Sequence, residues 1–270
     1  MIFRRTALGP LVVLTLVLGL GAACASEKPR ASTADSTTST TTAAGALTGN
    51  LTVLAAASLT DSFNELGKAF EALHPGTKVT FSYDASSALA TQANNGAPAD
   101  VFASADQPNM KKVTDAGNAT APRVFAHNKL AILVRKGNPK KVTGLKDLDR
   151  SGITFVLCAA EVPCGKYGAQ ALAKAGVKAQ PKSLEQNVKG VVTKVTSGEV
   201  DAGIGYVTDG KAATAQADTV EIPEASNVVA EYPIAVLKQS PNANLAYAFL
   251  DYLLGPDARA ILARYGFTAP

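Results

Sequence analysis

Two hydrophobic rhythms alternate along most of this chain. Short runs rich in Val, Ile, Phe and Ala have the length and side-chain content of strands. They are "LTVLAAAS" (51–58), "KVTFSYD" (78–84), "DVFASAD" (100–106), "KLAILVRKG" (129–137), "ITFVLCAA" (153–160), "AGIGYV" (202–207) and "YPIAVLK" (232–238). Between them apolar positions recur every three to four residues, which predicts helices. These are "DSFNELGKAFEALHPG" (61–76), "SSALATQANNGAP" (86–98), "PNMKKVTDAG" (108–117), "GKYGAQALAKAGV" (165–177), "VKGVVTKVTSGEV" (188–200) and "NANLAYAFLDYLLGPDARAILARYG" (242–266). A βαβαβα order predicts an α/β protein, a mainly parallel sheet with helices on its faces. The late strand and the C-terminal helices follow a complete middle α/β unit. That order predicts two lobes, 50–131 with 233–270 and 132–232, joined by two crossings near 129–135 and 231–237. Between two lobes lies a cleft for a small ligand.

The first 49 residues follow neither rhythm. Arg4 and Arg5 precede an apolar run, "ALGPLVVLTLVLGLGAA", that ends at Cys24. A basic start, a short apolar middle and small residues read as an export signal over 1–23, and the run is short for a membrane span. Its end resembles a bacterial lipoprotein signal, in which the cysteine is acylated. The resemblance implies an exported protein held on the outer face of the cytoplasmic membrane by a lipid on Cys24. The alternative is an ordinary cleaved signal with a chance cysteine. Residues 24–49 are mostly Ser, Thr and Ala. They lack the apolar surface to offset the entropy of ordering, and read as a flexible tether.

Net charge is +4 over 270 residues; without Arg4 and Arg5 it is about +2, with both signs interspersed. This excludes an electrostatic footprint for nucleic acid. No Walker motif is present, so the chain hydrolyses no nucleotide. Ser58 in "AAASL" lacks the G-x-S-x-G elbow, although a secreted hydrolase using Ser58 is the rival from another class. His74 and His127 have no ligand cluster near them in sequence.

The helix mouths carry the remaining signal. Ser58 opens the first helix, Ala85-Ser86-Ser87 the second, "VPCG" (162–165) a later one and Asn187-Val188 the next. None has Arg or Lys at the mouth itself. A helix N-terminus offers unpaired N–H groups and about half a positive charge, which suits an anion without any cationic side chain. Serine is also a favoured N-cap in proteins that bind nothing.

"TVLAAASLTDSF", "GAPADVFASADQPNM", "EVPCGKYG", "GIGYVTD", "EYPIAVL" and "RYGFT" resemble the molybdate-binding proteins of bacterial ABC importers, in order, from Leu51 to Phe267. The resemblance implies a two-lobed type II periplasmic-binding fold. It also implies a monomeric receptor, not an enzyme and without a cofactor, whose ligand is molybdate or tungstate. Its partners would be a membrane permease and a cytoplasmic ATPase. It places hydroxyl donors at Ser58, Ser86 and Tyr206 and backbone donors at Cys164 and Val188. Molybdenum would be held as its oxyanion, with no direct metal ligands. No Asp or Glu of these motifs is placed to accept a proton, so a protonated anion such as hydrogen phosphate is disfavoured. Sulfate or another oxyanion remains the nearest alternative. With Cys24 acylated in an oxidising compartment, Cys158 and Cys164 are expected to form a disulfide that fixes the loop presenting the Cys164 N–H.

Overall fold

The alternation of runs is realised nearly element by element in a computed structural model that describes residues 47–270. The expected signal (1–23), Cys24 and most of the tether lie outside the described residues. Strand β1 (Gly49–Ala56) starts within the last residues of the expected tether and passes through a 3-10 turn (Ala57–Leu59) into α1 (Thr60–Leu73). Then come β2 (Thr77–Asp84), α2 (Ser86–Asn94), β3 (Val101–Ala103) and α3 (Gln107–Asp115). A long strand, β4 (Arg123–Arg135), leads to β5 (Phe155–Cys158), α4 (Pro163–Ala175), β6 (Ser183–Glu185), α5 (Val188–Thr196), β7 (Ala202–Tyr206) and α6 (Val207–Ala212). The chain closes with β8 (Ala217–Glu221), β9 (Val229–Val236), α7 (Ala243–Leu254) and α8 (Pro256–Tyr265).

Local chemistry explains the boundaries. Along α1 the buried residues Phe63, Leu66, Gly67 and Phe70 have helical spacing, and Phe63 and Phe70 pack against Phe249 of α7. Asp106 caps α3 by accepting from the Asn109 N–H at 3.1 Å, with Pro108 in the first turn. The C-terminal run, expected as one helix, is two. Gly255 ends α7 in extended backbone and Pro256, lacking an N–H, starts α8.

The sheet order is β2-β1-β3-β9-β4-β7-β5-β6, with β8 also on β4. The expected mainly parallel character holds only inside each half. β1 pairs in parallel with β2 and β3, and β5 with β6 and β7. The remaining pairs are antiparallel, and all involve β4 or β9, the strands beside the passages between halves. β4 serves both half-sheets: Lys129 pairs with Val229 of β9 and the next residue, Leu130, pairs with Tyr206 of β7. Partner exchange therefore falls just before the expected 131/132 boundary. All of β9 lies in the first half-sheet, so the return passage precedes it rather than running through 231–237. The described residues, 47–270, lie in one compact unit, with a buried core around both half-sheets. Among the described residues no helix is long and apolar enough to cross a membrane.

Candidate functional site

The structure brings Ser58, Ser86, Cys164, Val188 and Tyr206 to the wall of one cavity. Its volume is about 10 Å³, roughly that of one water-sized sphere. Ser58 and Ser86 come from the ends of β1 and β2 in the first half-sheet. In the second, Cys164 and Val188 follow β5 and β6, and Tyr206 is the last residue of β7.

Each donor is exposed to the cavity by a local device. Ser86 is the first residue of α2, whose N-cap, Ala85, has no side-chain acceptor. Its Oγ accepts from the buried Ala105 N–H at 2.9 Å, which leaves the serine proton for the cavity. Ser58 Oγ lies 2.8 Å from Tyr232 Oη. Cys164 is in the first turn of α4, where N–H groups have no intrahelical partner. At α5 the Asn187 side chain accepts from the N–H groups of Lys189 and Gly190, at 3.0 and 3.3 Å. The cap thus passes over Val188, which lines the cavity and whose first-turn N–H has no intrahelical partner.

Tyr206 is buried, and its Oη has no hydrogen-bond partner among the described residues. A buried hydroxyl left so costs about 1 to 3 kcal/mol, which a ligand oxygen would recover. Burial also raises its pKa well above that of an ordinary phenol, so it stays a donor. Beneath it Asp209 accepts from the Tyr206 N–H at 3.2 Å. Burial pushes the Asp209 carboxyl up to about 6, against the pull of Lys189, 3.6 Å away. Burial would lower the Lys189 pKa, but Asp209 and Asp61 outweigh it and the net shift is upward. Lys189 also reaches Asp61 of α1, in the other half-sheet, at 2.8 Å.

Two features escaped the sequence reading. Asp84 lines the cavity, although no carboxylate was expected near the ligand. Its Oδ1 accepts from the Ala85 N–H (2.7 Å) and from Asn187 Nδ2 (3.1 Å), so that oxygen is committed to holding the two walls. The glycines of "GIGYV" also have a plain use: a Cβ on Gly203 would come within 2.6 Å of Val191, so the bare backbone lets α5 pack on β7.

Cys158 and Cys164 are joined by a disulfide, with their Cα atoms 5.6 Å apart. It ties the end of β5 to the first turn of α4. A Cβ on Gly165 would lie 2.0 Å from the Ala159 carbonyl oxygen, so only glycine permits so close a return. The hydrolase alternative gains no support: Ser58 Oγ is hydrogen-bonded to Tyr232 and not to a histidine. Among the described residues no group of three or more His, Cys, Asp or Glu is gathered to hold a metal ion.

Residues at four helix mouths, drawn from two half-sheets, line one small cavity, an arrangement suited to holding a small solute. Residues 51–268 match the bacterial extracellular solute-binding protein family, and the chain belongs to that family. The molybdate-binding protein ModA of Mycobacterium tuberculosis (strain ATCC 25618 / H37Rv) is 41% identical over 261 residues, 96% of this chain and 97% of that protein. The putative ABC transporter substrate-binding lipoprotein YvgL of Bacillus subtilis (strain 168) is 30% identical over 224 residues, 81% of this chain and 86% of that one. In fold, the chain is similar to the Azotobacter vinelandii periplasmic molybdate-binding protein. The TM-score is 0.74 at 24% identity, covering 82% of this chain and 99% of that one.

Proposed function

We propose that this chain is an extracytoplasmic receptor that encloses molybdate, and tungstate with it, and delivers it to an ABC importer made of a membrane permease and a cytoplasmic ATPase. The observation that carries the reading is the convergence of five residues, each picked out from sequence, on one cavity of hydroxyl and backbone donors. The mycobacterial relative named for molybdate binding supports the choice of anion. Ser58, Ser86 and Tyr206 would donate O–H groups, and Cys164 and Val188 N–H groups. Positive helix ends would balance the charge of the dianion. The two half-sheets would act as lobes, bending where β4 changes partner.

The anchor is a lipid on Cys24, a reading supported by the lipoprotein relative. Mass spectrometry of the membrane fraction would show an acylated N-terminal cysteine; a soluble, unmodified chain refutes it. The receptor is expected to act as a monomer with its disulfide formed. Calorimetric titration with molybdate, tungstate, sulfate and phosphate tests the function. Molybdate and tungstate should bind tightly, sulfate more weakly and phosphate least. Sulfate binding as tightly as molybdate would move the assignment to sulfate. No binding of any of the four would end the reading.

A further inference from the structure

We infer that Tyr232 and Asn128 are positioning residues that fix the direction of the Ser58 hydroxyl proton, and through it the preference for fully deprotonated oxyanions. The inference rests on the oxyanion-receptor reading above and extends it to two residues away from the cavity wall.

The argument starts at Asn128. The Lys129 N–H can only donate, and it lies 3.0 Å from Asn128 Oδ1. The amide oxygen must therefore face it, which turns Nδ2 toward Thr208 Oγ1 at 2.9 Å and Tyr232 Oη at 3.4 Å. Tyr232 Oη receives an N–H and has one proton of its own to give. The acceptor within reach is Ser58 Oγ, at 2.8 Å. Ser58 Oγ then takes a proton from behind, and its own proton is left for the cavity. All four residues are buried, so bulk water does not offer an alternative arrangement. Burial raises the Tyr232 pKa, which keeps the phenol protonated. Ser86 reaches the same polarity by a shorter route, since the Ala105 N–H occupies its oxygen.

The chemical consequence is selectivity. Molybdate and sulfate dianions present only acceptors, and a serine forced to donate suits them. Hydrogen phosphate carries the same charge with one P–OH, which needs an acceptor. A Ser58 whose lone pair is already used cannot supply one. The chain also crosses the molecule: Asn128 lies on β4 just before the strand changes partner, and Thr208 lies on α6 beyond it.

The test is titration of molybdate, sulfate and phosphate at mildly alkaline pH into wild type, Tyr232→Phe and Asn128→Asp. Tyr232→Phe keeps the ring against Phe125 and Phe267 but removes the proton given to Ser58. Asn128→Asp turns that proton away by offering Tyr232 an acceptor instead. In both variants the molybdate-to-phosphate affinity ratio should fall at least about tenfold. The molybdate-to-sulfate ratio should change less than about twofold, because size still decides it. Asp84 is unchanged in both, so the ratio reads Ser58. If all three anions weaken by one common factor, or the phosphate ratio stays at its wild-type value, the relay is wrong while the receptor reading stands. If wild type binds none of the anions, both fall.

Discussion

Replacing Tyr206 by Phe separates binding from folding more cleanly than any other change at the cavity. The ring is retained, with its edge-to-face contact to Tyr232 at 6.2 Å. Only the hydroxyl is lost, and within the described residues that hydroxyl bonds to nothing. The ligand-free protein therefore forfeits no hydrogen bond. It is relieved of a desolvated polar group that costs about 1 to 3 kcal/mol, so its melting temperature should hold or rise. Binding should suffer in full. A hydrogen bond to a charged partner is worth about 1.5 to 3 kcal/mol, which is roughly a 10- to 150-fold loss in affinity. The chain contains no tryptophan, so calorimetric titration and scanning calorimetry of the same samples are the suitable assays. An affinity within about twofold of wild type would remove Tyr206 from the site. A ligand-free variant less stable by more than about 1 kcal/mol would show that the hydroxyl has a structural partner after all.

The contrasting change is Ser86→Ala, which should weaken binding to a similar extent but also lower ligand-free stability by about 1 to 3 kcal/mol. It strands the buried Ala105 N–H that the serine oxygen now accepts, and equal melting curves would contradict this. Cys158→Ser should weaken molybdate binding by a larger factor than its modest effect on ligand-free melting implies. Closing so short a loop is worth only about 2 to 2.5 kcal/mol on the chain-entropy model, whereas an ordered Cys164 turn lowers the entropy cost of every binding event; unchanged affinity after full reduction would refute it. Asp209 titrates in the opposite sense to a surface carboxylate: its folded pKa, about 6, lies above the ordinary 3.8. Its contribution favours the folded state below about pH 4 and is lost as pH rises through 6. Asp209→Asn should therefore gain stability relative to wild type as pH rises from 4 to 6. A flat difference between the two melting profiles would show that Asp209 is not held as described.

What the sequence made legible was local. The helix mouths at Ser58, Ser86, Cys164 and Val188 were readable because the end of a strand, a small residue and the first turn of a helix are contiguous in the chain. The short polar strands β6 and β8 were not, since neither is an apolar run: Ser183–Glu185 carries no fully buried residue, and β8 buries only Ala217. The first half of β4 was missed because Arg123, His127 and Asn128 interrupt its apolar content, though its Phe125 and Ala126 are core. Gly255-Pro256 lay in plain view inside a run whose apolar spacing continued across it. The Asn128–Tyr232–Ser58 chain could not be read at all. Its partners lie 104 and 174 residues apart, and no periodicity relates them. In the sequence Asp84 is only the end of a strand run, and the bond to Asn187 from the other half-sheet is what places it on the wall.

The cavity wall carries no lysine or arginine; its donors are hydroxyls and peptide N–H groups. Mobile ions in solution shield full charges at the surface much more than they shield buried groups. Capture should therefore vary little with ionic strength, and a host moving between dilute and saline surroundings would draw on the same receptor with nearly the same grip. The corollary is kinetic. Without a cationic rim at the wall there is little long-range attraction to hasten encounter, so tight retention would have to come from slow escape rather than fast arrival.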